Sequence, residues 1–184
     1  MKTFIEIGSS YFRTLRHLCD KGWQGIMIDP IAIALDQIEP HPNLFKIQTA
    51  IMPKEGYYDF VKPKDEYFFE FDQDFQGSST FNEIMWFWDQ ADLNPKVEKV
   101  KVYCTTFDML CSSINLTNID YLKIDAEGSD LPILESIDFN KYDIKMIKTE
   151  HNGVNKHLNK MVSILEKNGY FVEVFEYDIM AVKL

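Results

Sequence analysis

Two spacings of apolar residues take turns along this chain. Thr3-Phe4-Ile5-Glu6-Ile7 is a short apolar run broken by one acid, and Gly8-Ser9-Ser10 closes it. Ser10 is placed to cap a helix carrying Phe12, Leu15, Leu18 and Cys19 on one face. Gly25-Ile26-Met27-Ile28 reads as a second strand, ended by Asp29-Pro30. A weaker helix is predicted over 31–38, before Pro40, and a third strand over 44–52 with a break near Thr49-Ala50. Alternation over 57–61 and again over 66–71, with Pro63-Lys64-Asp65 between, predicts a β-hairpin. Residues 72–96 are the least regular.

The second half is more periodic. Residues 97–105 read as a strand, and Thr105 or Thr106 can cap a helix with Phe107, Leu110, Cys111 and Ile114 at helical spacing. Residues 120–125 form a strand ending in Asp125, and Ala126-Glu127-Gly128-Ser129 turns into a helix with Leu131, Leu134 and Ile137 inward and Pro132 in its first turn. Residues 144–149 give a strand closed by Glu150-His151-Asn152. Leu158, Met161, Val162 and Leu165 share a helical stripe that Gly169 stops, and 170–175 and 179–182 form a closing strand pair.

Strands alternating with helices predict an α/β fold, a mostly parallel sheet with helices on both faces and an antiparallel last strand. That is the outline of the Rossmann-like class I methyltransferase fold, with seven strands and an extra β-hairpin insertion. Ligands of such sheets lie beyond the carboxyl ends of the strands, where Glu6, Asp29, Asp125 and Glu150 are expected.

Asp29 follows the turn at Gly8 by twenty-one positions, the plan of a first βαβ unit of a nucleotide-type cofactor site. Dinucleotide sites need G-x-G-x-x-G so that pyrophosphate can press on the backbone. Here Gly8-Ser9-Ser10-Tyr11-Phe12-Arg13 holds one glycine, with bulky Tyr11 and Phe12 where phosphate needs room. S-adenosylmethionine, a nucleoside without phosphates, suits that loop better than a nicotinamide or flavin. Asp29 would take its ribose hydroxyls, and Glu6 would sit near its ammonium end.

Composition narrows the partners. The 184 residues fit one domain, 1–184, with 57–96 as a hairpin and aromatic-rich insertion. A net charge of −10 argues against nucleic acid, whose phosphates need a basic face. The sequence shows no apolar run of about 18 residues and no signal-peptide pattern, so a cytoplasmic protein without a membrane span is expected. Cys19, Cys104 and Cys111 form no C-x-x-C pair and read as reduced, buried thiols. Twelve of the 26 aromatic residues crowd into 57–88, which suits core packing, a sugar-stacking platform, a lid or a homodimer contact.

Tyr121-Leu122-Lys123-Ile124-Asp125-Ala126-Glu127-Gly128-Ser129-Asp130 resembles the signature of the FkbM family of S-adenosylmethionine-dependent methyltransferases. Thr105 to Leu110 is similar to its threonine–leucine–aspartate helix start, and Ile5 to Ser10 to its first cofactor loop. Ile28-Asp29-Pro30, Gln48-Thr49-Ala50-Ile51, Ser78-Ser79, Glu150-His151 and 165–170 follow the family pattern in order, over nearly the whole chain. Three positions depart: Glu6 replaces aspartate, Phe12 a second glycine, and Asp29 glutamate. The chain opens directly on its first strand, so the N-terminal extension that often covers class I active sites is expected to be missing.

The resemblance implies methyl transfer, expected as O-methylation of a hydroxyl on a sugar, glycan or small natural product. Glu6, Gly8, Ser9, Ser10, Asp29, Pro30, Thr49, Ala50, Ser79 and Asp125 are the expected cofactor-binding residues. Asp125, Glu127 and His151 are the expected catalytic residues, with Glu150 beside them. A hydroxyl needs a base, or a divalent cation such as magnesium to acidify it, and these side chains offer both. The rival readings are a catalytically inactive binding module on the same fold and a nicotinamide or flavin oxidoreductase.

Overall fold

The computed structural model describes residues 1–10, 14–68, 96–151 and 155–184. β1 (Thr3–Ile7), β2 (Gln24–Asp29) and β3 (Leu44–Gln48) are joined by a 3-10 helix over Arg16–Lys21 and by α1 (Ala32–Asp36). β4 (Ala50–Ile51), β5 (Gly56–Pro63) and β6 (Val97–Thr105) follow, then α2 (Phe107–Ser113), β7 (Asn118–Ile119) and β8 (Tyr121–Ile124). α3 (Asp130–Ser136), β9 (Asp143–Ile144), β10 (Met146–Glu150), α4 (Asn155–Lys167), β11 (Tyr170–Val174) and β12 (Asp178–Lys183) complete the chain.

The main sheet has seven strands in the order β11-β12-β10-β8-β1-β2-β3. Pairings from β10 through β3 are parallel, and β12 runs antiparallel to both its neighbours. Side chains alternate across the pleat and build two cores. Ile5, Ile7, Ile26, Ile28, Leu122 and Ile124 meet Phe107, Leu131, Leu134, Met161 and Leu165 from α2, α3 and α4. On the other face Phe4 and Met27 pack with Leu15, Cys19, Leu35 and Ile38. Burial on both faces explains why these strands read as continuous apolar runs. The α/β class, the parallel sheet and the antiparallel last strand all match the sequence reading. Among the described residues no helix is long and apolar enough to cross a membrane.

One local expectation is corrected. Among the described residues β5 does not turn back onto 66–68: Asp65–Tyr67 is a 3-10 turn, and β5 pairs antiparallel with β6, from Gly56 opposite Cys104 to Pro63 opposite Val97. β6 supplies a strand long enough to satisfy every rung of β5, which the shorter 66–71 run could not; Phe69 and Phe71 lie outside the described residues. The helix expected after Ser10 would begin on residues 11–13, which lie outside the described residues. The Ser10 amide donates to Asp29 Oδ2 at 2.7 Å, its φ is 43°, and among the described residues a 3-10 helix covers Arg16–Lys21. The third strand does break at Thr49, and Thr106 does cap α2, accepting from the Met109 amide at 3.0 Å.

Candidate functional site

A cleft opens across the carboxyl ends of β1, β2 and β8. Ile7, Gly8, Ser10, Ile28, Asp29, Pro30, Ile31, Thr49, Ala50, Ile51, Phe60, Asp125, Ala126 and Glu127 line it. Gly8 makes the crossing possible. Its φ is 77°, and a Cβ there would fall 1.8 Å from the Asp125 carbonyl oxygen. The glycine therefore lets the loop after β1 touch the loop after β8, before any ligand is considered.

Asp29 sits at one end of the cleft. The Ser10 and Ile31 amides donate to Oδ2 and Oδ1 at 2.7 and 2.8 Å. Burial pushes its carboxyl up to about 6, against the pull of those two N–H groups. Beside it the Ser10 hydroxyl is buried and, among the described residues, has no hydrogen-bond partner. A buried hydroxyl left unsatisfied is costly, so this corner suits a polar ligand group.

At the other end the oxygens of Asp125, Glu127 and Glu150 come within 4.8 Å of one another. Burial, then Glu150 and Asp125, raises Glu127 to about 8. Burial, then Asp125 and Asp130, raises Glu150 to about 7. Asp125 instead has the Lys123 ammonium 3.0 Å from Oδ2. The three carboxyl groups are thus unequal: one faces a fixed cation while two tend to hold protons. Asp130 sets their spacing. It accepts from Ala126 N–H on the β8 side and from Thr149 Oγ and Glu150 N–H on the β10 side. Glu127 has a φ of 45° and Ser10 one of 43°, so two of the non-glycine residues with left-handed backbone border this cleft.

Gly8, Ser10, Asp29, Pro30, Thr49, Ala50, Asp125 and Glu127 therefore come together as the sequence predicts. Thr49 Oγ is already spent on the Tyr103 carbonyl at 3.2 Å. Glu6 and Ser9 lie beneath the cleft. Glu6 is fully buried and accepts from Thr14, Leu15 N–H and Lys123, and Ser9 donates to the Ile28 carbonyl at 3.2 Å. His151 is buried behind Glu150, its Nε2–H donating to the Phe175 carbonyl at 3.2 Å. Ser79 lies outside the described residues. Sequence reasoning missed Lys123, Asp130 and Phe60 as site residues. The first two stand inside the quoted signature, while Phe60 was hidden among the aromatic residues of 57–88.

The FkbM methyltransferase domain model matches residues 5–172. This chain belongs to the FkbM methyltransferase domain family. A solved FkbM methyltransferase from Methylobacillus flagellatus KT matches with a TM-score of 0.56 at 12% identity, covering 98% of this chain and 43% of its own. The chain thus spans less than half the length of that FkbM protein. A precorrin-6y C5,15-methyltransferase from Geobacter metallireducens GS-15 matches with a TM-score of 0.51 at 13% identity, over 100% of this chain and 80% of its own. At such identities these likenesses speak for a Rossmann-like methyltransferase fold. No curated protein sequence matches the chain.

Proposed function

We propose that the protein transfers a methyl group from S-adenosylmethionine to a hydroxyl oxygen of a sugar, glycan or small natural product. One observation carries the reading: a single cleft joins the Asp29–Ser10 corner to Asp125 and Glu127. Asp29 would accept from the ribose hydroxyls, the Ser10 hydroxyl would gain its missing partner, and Ile28, Ile31, Ile51 and Phe60 would cover the base. Glu6 then acts through Lys123 and Asp125 rather than by touching the cofactor.

Bound there, S-adenosylmethionine supplies an electrophilic methyl. The acceptor hydroxyl would lie against the carboxylate cluster, which would take its proton as the oxygen accepts the methyl and the sulfur is released as a neutral thioether. Glu150, poised near neutrality, is the best matched base, and Asp125 orients the hydroxyl with its Lys123-bound charge. The oxygen donors also suit a hard cation such as magnesium. Asp125, Glu127 and Glu150 would hold it, and it would acidify the hydroxyl. Transfer that survives chelation unchanged removes the cation from this reading.

Calorimetry with S-adenosylhomocysteine, followed by an assay for its release from S-adenosylmethionine with sugar acceptors, tests the proposal. Binding and release together support it. Binding without release on any hydroxyl acceptor would favour a module that holds cofactor without turnover.

A further inference from the structure

The β8–β10 ladder ends at Ile124 opposite Thr149, one residue short of Asp125 and Glu150. Past that rung two N–H donors, from Ala126 and Glu150, converge on one space. Two donors cannot pair with each other, so the space needs an acceptor. The Asp130 carboxylate fills it. Oδ2 accepts from Ala126 N–H at 3.1 Å, and Oδ1 accepts from Glu150 N–H at 3.1 Å and from Thr149 Oγ–H at 3.2 Å. A neutral amide in its place would turn an NH2 against one of those N–H groups.

As a device for stability alone this is a poor choice. Asp130 is 2% exposed, and among the described residues no lysine or arginine pairs with it. Taking a carboxylate out of water without a cation is costly even when three donors meet it. Continuing the ladder would satisfy strand amides without burying a charge. What the carboxylate does that another rung could not is hold the two strand ends apart. It does so from a rigid support, because Leu131, Ile133 and Leu134 fix α3 in the core. Ala126 is tied on its other side as well: its carbonyl accepts from Ser129 N–H at 3.1 Å. One residue earlier, Asp125 N–H donates to the Ile7 carbonyl at 3.0 Å. Ala126 stands between Asp125 and Glu127 in the chain, so pinning it sets both carboxyl groups against Glu150, within 4.8 Å.

We infer that Asp130 is a positioning residue, a buried spacer that holds Asp125 and Glu150 at the separation an acceptor hydroxyl needs. It touches neither cofactor nor acceptor on the methyl-transfer reading above, on which the assignment rests. Rates are steep in such distances, and about 1 Å of misplacement costs up to about 100-fold. Asp130 thus governs turnover, while the Asp29–Ser10 corner, which it does not contact, governs cofactor binding.

The test uses the full chain. Amide hydrogen exchange on the ligand-free protein should find Ala126 and Glu150 protected, and rapid exchange at either overturns the bridge. Release of S-adenosylhomocysteine from S-adenosylmethionine is then measured with a panel of methyl glycosides, and the best acceptor is carried into the variants. Asp130→Glu keeps both acceptor oxygens but adds one methylene to the spacer. Its two amides should stay protected and its affinity for S-adenosylhomocysteine should hold, while kcat falls about tenfold or more. Asp130→Asn should free one amide to exchange and lower kcat at least as far. Thr149→Val removes the third hydrogen bond and leaves the two amides bridged, so it should melt earlier yet keep kcat within about threefold of wild type. Wild-type kcat in a folded Asp130→Glu or Asp130→Asn chain overturns the inference. So does an equal loss of kcat in Thr149→Val, or a loss that tracks weaker S-adenosylhomocysteine binding, either of which would make Asp130 merely structural. If neither Asp130 variant folds, the exchange measurement on the wild-type chain is the test. A wild-type chain that turns over no acceptor fells the methyl-transfer reading itself and the inference with it, a result reached before any variant is made.

Discussion

Glu6 on β1 and Lys123 on β8 are register partners in the sheet, with Oε1 and Nζ 3.1 Å apart. The Glu6 side chain is 0% exposed and that of Lys123 7%. Lys123 also reaches Thr14 Oγ and Asp125 Oδ2, each at 3.0 Å, so all three of its N–H donors are used. The buried charges raise the lysine well above its usual range in spite of desolvation. Lys123→Met would strand a buried carboxylate and should cost roughly 3–5 kcal/mol. Pairing it with Glu6→Gln removes the charge yet leaves an acceptor for Leu15 N–H, and should recover much of the loss. Urea denaturation of the two single variants and the double variant measures both effects.

Gly8 and Gly22 separate conformation from contact. Both have left-handed backbone, at 77° and 82°. An added Cβ meets nothing within 4 Å at Gly22 but strikes the Asp125 carbonyl at Gly8. Gly22→Ala should cost about 1–2 kcal/mol, the left-handed penalty alone. Gly8→Ala should cost clearly more and weaken S-adenosylhomocysteine binding as well. Thermal melts and calorimetry on both variants make the comparison.

Asp29→Ala should weaken S-adenosylhomocysteine binding by roughly 1–3 kcal/mol, the scale of leaving polar partners unmet. An unchanged dissociation constant would remove the ribose-binding role. The Ser10 and Ile31 amides lose their acceptor too, so a melt is run alongside to separate folding from binding.

Stability should depend on pH in an unusual direction for an acidic protein. Asp29 and Asp130 are raised to about 6, Glu150 to about 7 and Glu127 to about 8, chiefly by burial. The native state holds these protons more tightly than the unfolded chain. Their stabilisation is full below the ordinary carboxylate range, near 4, and is lost as pH rises through 6 to 8. The ligand-free melting temperature should therefore fall between pH 5 and pH 8, and Glu127→Gln should flatten the upper part of that fall. A melting temperature that climbs over this range contradicts the proposed protonation pattern.

Asp125→Asn should lower methyl transfer roughly 100-fold or more while costing little stability. Its side chain is 38% exposed, so the fold does not lean on it as on Glu6. A variant that melts early and binds no cofactor would mark Asp125 as structural.

The order of the central strands was readable because β1, β2 and β8 are buried on both faces and closed by Gly8, Asp29 and Asp125. The signature around Lys123–Gly128 pointed to the cleft for the same local reason. What could not be read was pairing across long separations. Glu6 looked like a cofactor ligand because nothing local reveals that Lys123 stands beside it on the neighbouring strand. The partner of the Ser10 amide, Asp29, is nineteen residues away and gave no local signal. β5 looked like half of a local hairpin because its partner, β6, follows more than thirty residues later. His151 looked like a base because its neighbour in sequence is Glu150, whereas its ring answers to Phe175.

Where β5 ends and β6 begins, Pro63 pairs with Val97 and Lys64 N–H bonds the Lys96 carbonyl at 2.9 Å. That backbone latch stands where the chain goes on to Phe68, which is fully buried with Ile31, Ala34 and Phe60, so a change in the segment after β5 reaches the wall of the cleft through Phe60.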